Sequence, residues 1–136
     1  MIFVDTNVLI DLLNPDEQWF TWSRNNMMTL AAETDLVADT IVLAELASNF
    51  TSLDSLYAAL ERYDVELLPI DDASAFAAGQ AFREYRRRTK ARDAMLSDFL
   101  IGAHARQLGA TLLTRDAGIY RTYFPDLTLI TPETQP

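Results

Sequence analysis

Apolar residues fall along this chain in short continuous runs, separated by longer stretches in which they recur at helical spacing. Ile2-Phe3-Val4 is the first run, and a strand is predicted over residues 1–5. Thr6 then offers a cap for a short helix reaching about Leu13. Asn14-Pro15-Asp16 reads as a turn, and Trp19, Phe20, Trp22, Met27 and Leu30 place a helix over residues 16–30. Leu36-Val37-Ala38 predicts a second strand, and Asp39-Thr40 caps a helix through about Ser48. Thr51-Ser52 opens a further helix ending near Tyr63. Val65-Glu66-Leu67-Leu68 predicts a third strand, stopped by Pro69, and residues 71–88 form a long alanine-rich helix. The next helix starts at or near Ser97 and stops at Leu108-Gly109. Thr111-Leu112-Leu113 and Leu127 to Ile130 supply the last two strands.

Strands alternate with helices, and each strand is short and almost wholly apolar. That pattern predicts an α/β fold with a parallel sheet covered on both faces. No repeat, low-complexity tract or linker interrupts it, so residues 1–136 are expected to form one domain. No apolar stretch approaches the length of a membrane span. The first strand begins almost at Met1 without a basic segment before it, so no signal peptide is expected, and a cytoplasmic location follows.

Composition narrows the chemistry. There is no cysteine, which excludes disulfides and thiolate metal sites, and the single histidine, His104, excludes a multi-histidine zinc site. Any metal would be held by oxygen. The formal net charge of −9 argues against a nucleic-acid partner, yet its distribution weakens that inference. Residues 1–82 carry 14 acids against 2 basic residues, whereas Arg83, Arg86, Arg87, Arg88, Lys90 and Arg92 crowd into one short segment. Such a run is either a solvated helix end favoured by the dipole or a grip for phosphates.

Four acids occupy informative places. Asp5 ends the first strand between two apolar runs, where an unpaired charge is costly. Glu45 lies in TIVLAELAS, with apolar residues expected on nearly all sides. Asp98 falls in the first turn of SDFLIGAHA, and Asp116 follows the strand TLL in LLTRDAG. Singly, each has an ordinary explanation: a helix-dipole acid, a turn residue, a cap. Together they fit the crevice at the carboxyl ends of parallel strands, where open α/β sheets bind ligands. Carboxylates about 4 Å apart repel by roughly 4 kcal/mol at an effective dielectric near 20, and a hard divalent cation relieves that repulsion. Oxygen donors suit Mg2+ or Mn2+, which can activate water and stabilise phosphoryl charge. Hydrolysis of a phosphodiester is the implied reaction.

With VDTNVLID, TIVLAELAS and LSDFLIGAHARQLGATLLTRDAGIYRTYFPDL in order along almost the whole chain, the sequence resembles the PIN-domain ribonucleases, in particular the VapC-type toxins of toxin–antitoxin pairs. The resemblance implies a three-layer α/β/α sandwich around a mainly parallel sheet of four to five short strands. It implies Asp5, Glu45, Asp98 and Asp116 as metal-binding acids, and Asn7 and Thr114 as hydrogen-bonding supports. It also implies RNA as substrate, Mg2+ or Mn2+ as cofactor, a homodimer, and a VapB-type antitoxin whose C-terminal segment lies in a hydrophobic groove. Trp19, Phe20 and Trp22 are either core residues or part of that groove. Asp11 is either a further acid near the site or a solvated helix residue. His104 is expected to be a packed or partly exposed residue, not a base. Gly102 stands where relatives often carry alanine, which weakens the helix unless close packing requires it.

Three other readings remain beside this one. A haloacid-dehalogenase-like phosphatase wants a second aspartate where Asn7 stands and a lysine near the later acids, but Lys90 is the only lysine. A receiver-type signalling domain wants adjacent acids at the first strand. A catalytically silent PIN module binding RNA or protein would be expected to have lost one of the acids.

Overall fold

The structure is a computed structural model that describes residues 1–136. Five strands, β1 (Ile2–Val4), β2 (Leu36–Asp39), β3 (Val65–Leu68), β4 (Thr111–Leu113) and β5 (Leu129–Ile130), form one sheet in the order β3-β2-β1-β4-β5. Every pairing is parallel. The helices are α1 (Thr6–Asp11), α2 (Phe20–Ala31), α3 (Thr40–Leu46), α4 (Leu53–Arg62), α5 (Asp72–Arg88), α6 (Leu96–Gln107) and α7 (Gly118–Tyr123). This is the expected α/β/α sandwich, with five strands and no antiparallel one.

The apolar runs sit where they do because β1 is the central strand. Phe3 and Val4 are fully buried, paired on one side with β2 and on the other with β4. The chain goes from β1 outward through β2 and β3, then returns past β1 to β4 and β5. The order therefore reverses between β1 and β4, and a crevice opens beyond their carboxyl ends. Asp5 and the segment Thr114-Arg115-Asp116 lie at those two ends.

Several boundaries differ from expectation for local reasons. Asp5, not Thr6, is the cap of α1, its Oδ1 accepting the Thr6 backbone N–H at 2.7 Å. That helix stops at Asp11 rather than Leu13, and α2 begins only at Phe20, because Asn14-Pro15 prolongs the turn. Residues 47–49 close α3 as a 3-10 turn. The last strand is confined to Leu129–Ile130. Helix α7 was not anticipated: it is one and a half turns long and starts on a glycine, so periodicity has too few residues to register. Ser52 caps α4 through Ser55, and Gly109 ends α6 with a φ of 67°, the left-handed turn that glycine adopts without strain.

Helix α6 is locked from three directions. Its Phe99 packs edge-on with Phe82 of α5 at 5.3 Å and with Tyr123 of α7 at 5.4 Å between ring centroids. Aromatic pairs of this kind add about 0.5–1.5 kcal/mol each beyond their buried area. On another side, His104 is buried and donates from Nδ1 to Asp39 Oδ2 at 2.8 Å. The other oxygen of Asp39 accepts the backbone N–H groups of Ile41 and Val42 at 2.9 and 3.0 Å, capping α3. One carboxylate thus joins α6 to α3.

The third contact explains Gly102. A Cβ at this position would stand 2.6 Å from a ring carbon of the fully buried Phe124 and 3.1 Å from Tyr120. Close packing does require the glycine. Gly102→Ala is therefore expected to destabilise the protein by about 1–3 kcal/mol through overpacking, despite a gain of about 1 kcal/mol in helix propensity. Thermal melting of the variant checks this; an unchanged or higher melting temperature would show that Phe124 yields easily.

Candidate functional site

The crevice at the sheet's reversal point is a cleft of about 210 Å³ lined by Asp5, Thr6, Asn7, Ile10, Glu45, Asp98, Asp116, Ile119 and Tyr120. All four acids singled out in the sequence reach it, from β1, α3, α6 and the loop after β4. No cationic side chain lines it. Asp39, Asp126, Asp11 and Glu133 pair with His104, Arg106, Arg115 and Arg121 respectively. None of the four cleft acids has such a partner; all are held by neutral donors.

Those donors form a connected set. Asp5 Oδ2 accepts from Thr114 Oγ1 at 2.8 Å and from the Tyr120 hydroxyl at 3.0 Å, with Asn7 Nδ2 at 3.4 Å. Asn7 Nδ2 also reaches Thr114 Oγ1 at 3.2 Å, and its Oδ1 accepts the Arg115 backbone N–H at 3.2 Å. Asn7 and Thr114 therefore tie the ends of β1 and β4 together. Thr6 donates from Oγ1 to Glu45 Oε1 at 2.7 Å, and Ser97 donates to Glu45 Oε2 at 3.3 Å. Asp98 turns its Oδ2 back to the Met95 backbone N–H at 3.1 Å, and Asp116 Oδ1 accepts the Gly118 N–H at 3.3 Å.

Burial and like charge act on this group. Asp5 is pushed up to about 6, first by burial and further by the Glu45 charge, against the pull of its hydrogen bonds from Thr114, Tyr120 and Thr6. Asp98 is raised by burial and by the charge of Asp116. Tyr120 is raised well above the usual phenol value by burial and by Asp5 and Asp98, so its hydroxyl stays protonated and donates. Glu45 departs from its expected surroundings: it is exposed, because the apolar residues of α3 face away from it. Asp116 is exposed as well.

Other candidates lie elsewhere. Asp11 is neither solvated nor in the cleft: it is buried, bound by Arg115 Nε at 2.7 Å and Ser23 Oγ at 2.6 Å. His104 is buried outside the cleft. Arg83, Arg86, Arg87, Arg88, Lys90 and Arg92 are all exposed at the end of α5 and in the connection leading to α6; none lines the cleft. Arg86 lies over Phe82 and Arg88 over Tyr123, and no ion pair involves any of the six. Trp19, Phe20 and Trp22 are half-buried around the start of α2, with the Arg115 guanidinium over Trp19 and Trp22 donating to the Gln135 carbonyl. A small apolar pocket of about 20 Å³, with room for little more than one water, lies among Leu9, Leu12, Leu46, Phe50, Leu56 and Leu60, most of them buried in the core.

Sequence reasoning missed Thr6 as a donor to Glu45, and it missed Tyr120 altogether. Tyr120 lies on α7, and its place beside Asp5 comes from tertiary contact across 115 positions.

A parallel α/β sheet with an oxygen-only acidic cleft at its reversal point defines a narrow class of proteins. The PIN domain profile matches residues 2–125, and the chain belongs to the PIN-domain family. No curated protein matches it in sequence. Among solved structures, it is similar to VapBC2 from Rickettsia felis bound to a DNA fragment from their promoter. That match has 25% identity and a TM-score of 0.68, covering 96% of this chain and 98% of the other. FitAcB from Neisseria gonorrhoeae follows at 24% identity and TM-score 0.66, covering 98% and 99%. VapC20 of Mycobacterium tuberculosis, a sarcin-ricin loop cleaving toxin, matches at 21% identity and TM-score 0.61, covering 90% and 95%. The last two speak to the fold alone. Family membership sets aside the phosphatase and receiver readings.

Proposed function

We propose that this chain is a metal-dependent endoribonuclease, a single PIN-like domain over residues 1–136, acting in the cytoplasm as the toxin of a toxin–antitoxin pair that inhibits translation or growth. The observation that carries this reading is the set of four carboxylates in one cleft with no cationic side chain among them. Their donor chemistry fits a hard divalent cation such as Mg2+ or Mn2+: all oxygen, mutually repelling, and with Asp5 raised by burial. No three of the acids already stand in an arrangement that holds a metal ion. Holding a cation therefore requires these side chains to draw closer together. A bound cation would supply an activated water and stabilise charge on the phosphoryl group.

The chain's own residues do the rest. Thr114, Tyr120 and Asn7 hold the Asp5 carboxylate, and Thr6 and Ser97 orient Glu45. Ile10 and Ile119 give the cleft an apolar wall. The proposed assembly includes a VapB-type antitoxin and a homodimer. No helix is long and apolar enough to cross a membrane.

The exposed bases from Arg83 to Arg92 are assigned to gripping RNA phosphates outside the cleft. Replacing Arg86 and Arg87 by alanine is expected to weaken RNA binding and to flatten its salt dependence by roughly 0.7 in log–log slope for each phosphate no longer neutralised. A salt titration of binding checks this, and an unchanged slope would return the segment to an ordinary solvated helix end. The overall reading is tested by incubating the purified protein with mixed cellular RNA, with Mg2+ or Mn2+ and with chelator. RNA left intact under every condition would favour a silent PIN module.

A further inference from the structure

The two oxygens of Asp5 are treated very differently by their surroundings. Oδ2 accepts from Thr114 at 2.8 Å and Tyr120 at 3.0 Å, with Asn7 close behind at 3.4 Å. Oδ1 accepts only the Thr6 backbone N–H, at 2.7 Å. A carboxylate oxygen has two lone-pair sites, so Oδ2 is filled and Oδ1 keeps one free. Tyr120 is 3% exposed, and its ring is seated against the α6 backbone, where Gly102 leaves room for it. Its hydroxyl is therefore held on Oδ2 by packing as well as by the hydrogen bond. Phenylalanine would fill the same seat and leave Thr114 as the one short donor on Oδ2, because the Asn7 amide stands at 3.4 Å and lies nearer Thr114 Oγ1, at 3.2 Å.

We propose that Tyr120 is a positioning residue that sets cation specificity: by filling Oδ2 it restricts Asp5 to coordination through Oδ1, which favours Mg2+ or Mn2+ over Ca2+. The proposal rests on the reading of the cleft as a metal site. Its physical basis is the difference between the ions. Ca2+ takes six to eight oxygens and accepts both oxygens of one carboxylate, whereas Mg2+ demands a near-octahedral set of single oxygens. Thr114, the other close donor to Oδ2, acts in the same direction. A Tyr120→Phe or Thr114→Val protein offers Asp5 as a two-oxygen ligand and so improves Ca2+ more than the smaller ions.

The test uses the cations alone, without RNA. Mn2+ binding to the full chain is followed by electron paramagnetic resonance, and Ca2+ is titrated in to displace it. Tyr120→Phe is expected to raise the ratio of Ca2+ to Mn2+ affinity by about tenfold, and Thr114→Val to move it in the same direction. A loss of packing or stability weakens both ions together and leaves the ratio alone, so the ratio separates positioning from structural damage. Should Tyr120→Phe fail to fold, Thr114→Val decides. A wild-type protein that binds Mn2+ while neither variant changes the ratio overturns this proposal and leaves the metal site standing. A wild-type protein that binds no Mn2+ overturns both.

Discussion

In divalent-free buffer at neutral pH, Asp5→Asn is expected to melt at a higher temperature than the wild-type protein while losing RNA cleavage. Asp5 is buried, and its carboxyl is raised from 3.8 to about 6. Each unit of such a shift corresponds to about 1.4 kcal/mol, so holding the ionised form in the fold opposes stability by about 3 kcal/mol at neutral pH. Asparagine removes that opposition but gives up the charged cap of α1, leaving a net gain of about 1–2 kcal/mol. The pH dependence has a definite sign. The folded protein binds the Asp5 proton more tightly than the unfolded chain, so this stability is present below about pH 4 and is lost as pH rises through about 6. The variant lacks that decline. Mn2+ should restore stability to the wild-type protein and do little for the variant. Differential scanning calorimetry across pH, with and without Mn2+, checks all of this; a variant that melts lower in divalent-free buffer would mean that Asp5 is chiefly a structural cap.

His104→Ala is expected to have the opposite and larger effect on stability. Asp39 is fully buried, and His104 is the only side chain on its Oδ2. Truncating one partner of such a pair leaves a buried carboxylate oxygen without its donor, a loss of roughly 3–5 kcal/mol. For a chain of this size that lowers the melting temperature by on the order of 10 °C. Damage to function follows from geometry. Asp39 caps α3, which carries Glu45, while His104 belongs to α6, which carries Asp98. Breaking the link frees the two helices from each other, although Ser97 still joins Glu45 at the cleft. His104→Gln, which can still donate to Asp39, should recover part of both losses. Equal melting temperatures for the alanine variant and the wild-type protein would show that the pair adds nothing to the fold.

Much of this was legible in the sequence, because the relevant signals are short-range. Apolar runs such as Ile2-Phe3-Val4 and Thr111-Leu112-Leu113 read as strands of a sheet covered on both faces, and both are. Asp5 and Asp116 could be assigned to strand ends, Asp98 to a helix start and Glu45 to a helix without knowing their distances, and all four line the cleft. What the sequence left open depends on tertiary contact. Asp39 and His104 lie 65 positions apart, and nothing local to either distinguishes a buried pair from a cap and a surface histidine. Asp11 looked like an ordinary acid of a short helix, and only folding brings Arg115 to it. Gly102 weakens a helix by every local rule and is explained only by the Phe124 ring resting on it. Glu45 was misplaced in the other direction: its apolar neighbours in sequence point into the core, and the carboxylate itself faces solvent.

The most direct measurement is the rate at which purified protein cleaves RNA in Mg2+ or Mn2+, compared with Asp98→Asn and with chelator present. The side-chain carbonyl introduced by Asp98→Asn can still accept the Met95 backbone N–H that Asp98 binds through Oδ2, so the helix start survives while the charge is removed. Mutating even an outer partner of a metal ligand lowers affinity or activity about 10–100-fold, so the expected fall for this acid exceeds about a hundredfold, with no cleavage in chelator. Cleavage that persists in Asp98→Asn, or that proceeds in chelator, would contradict a metal-dependent active site built on these four acids.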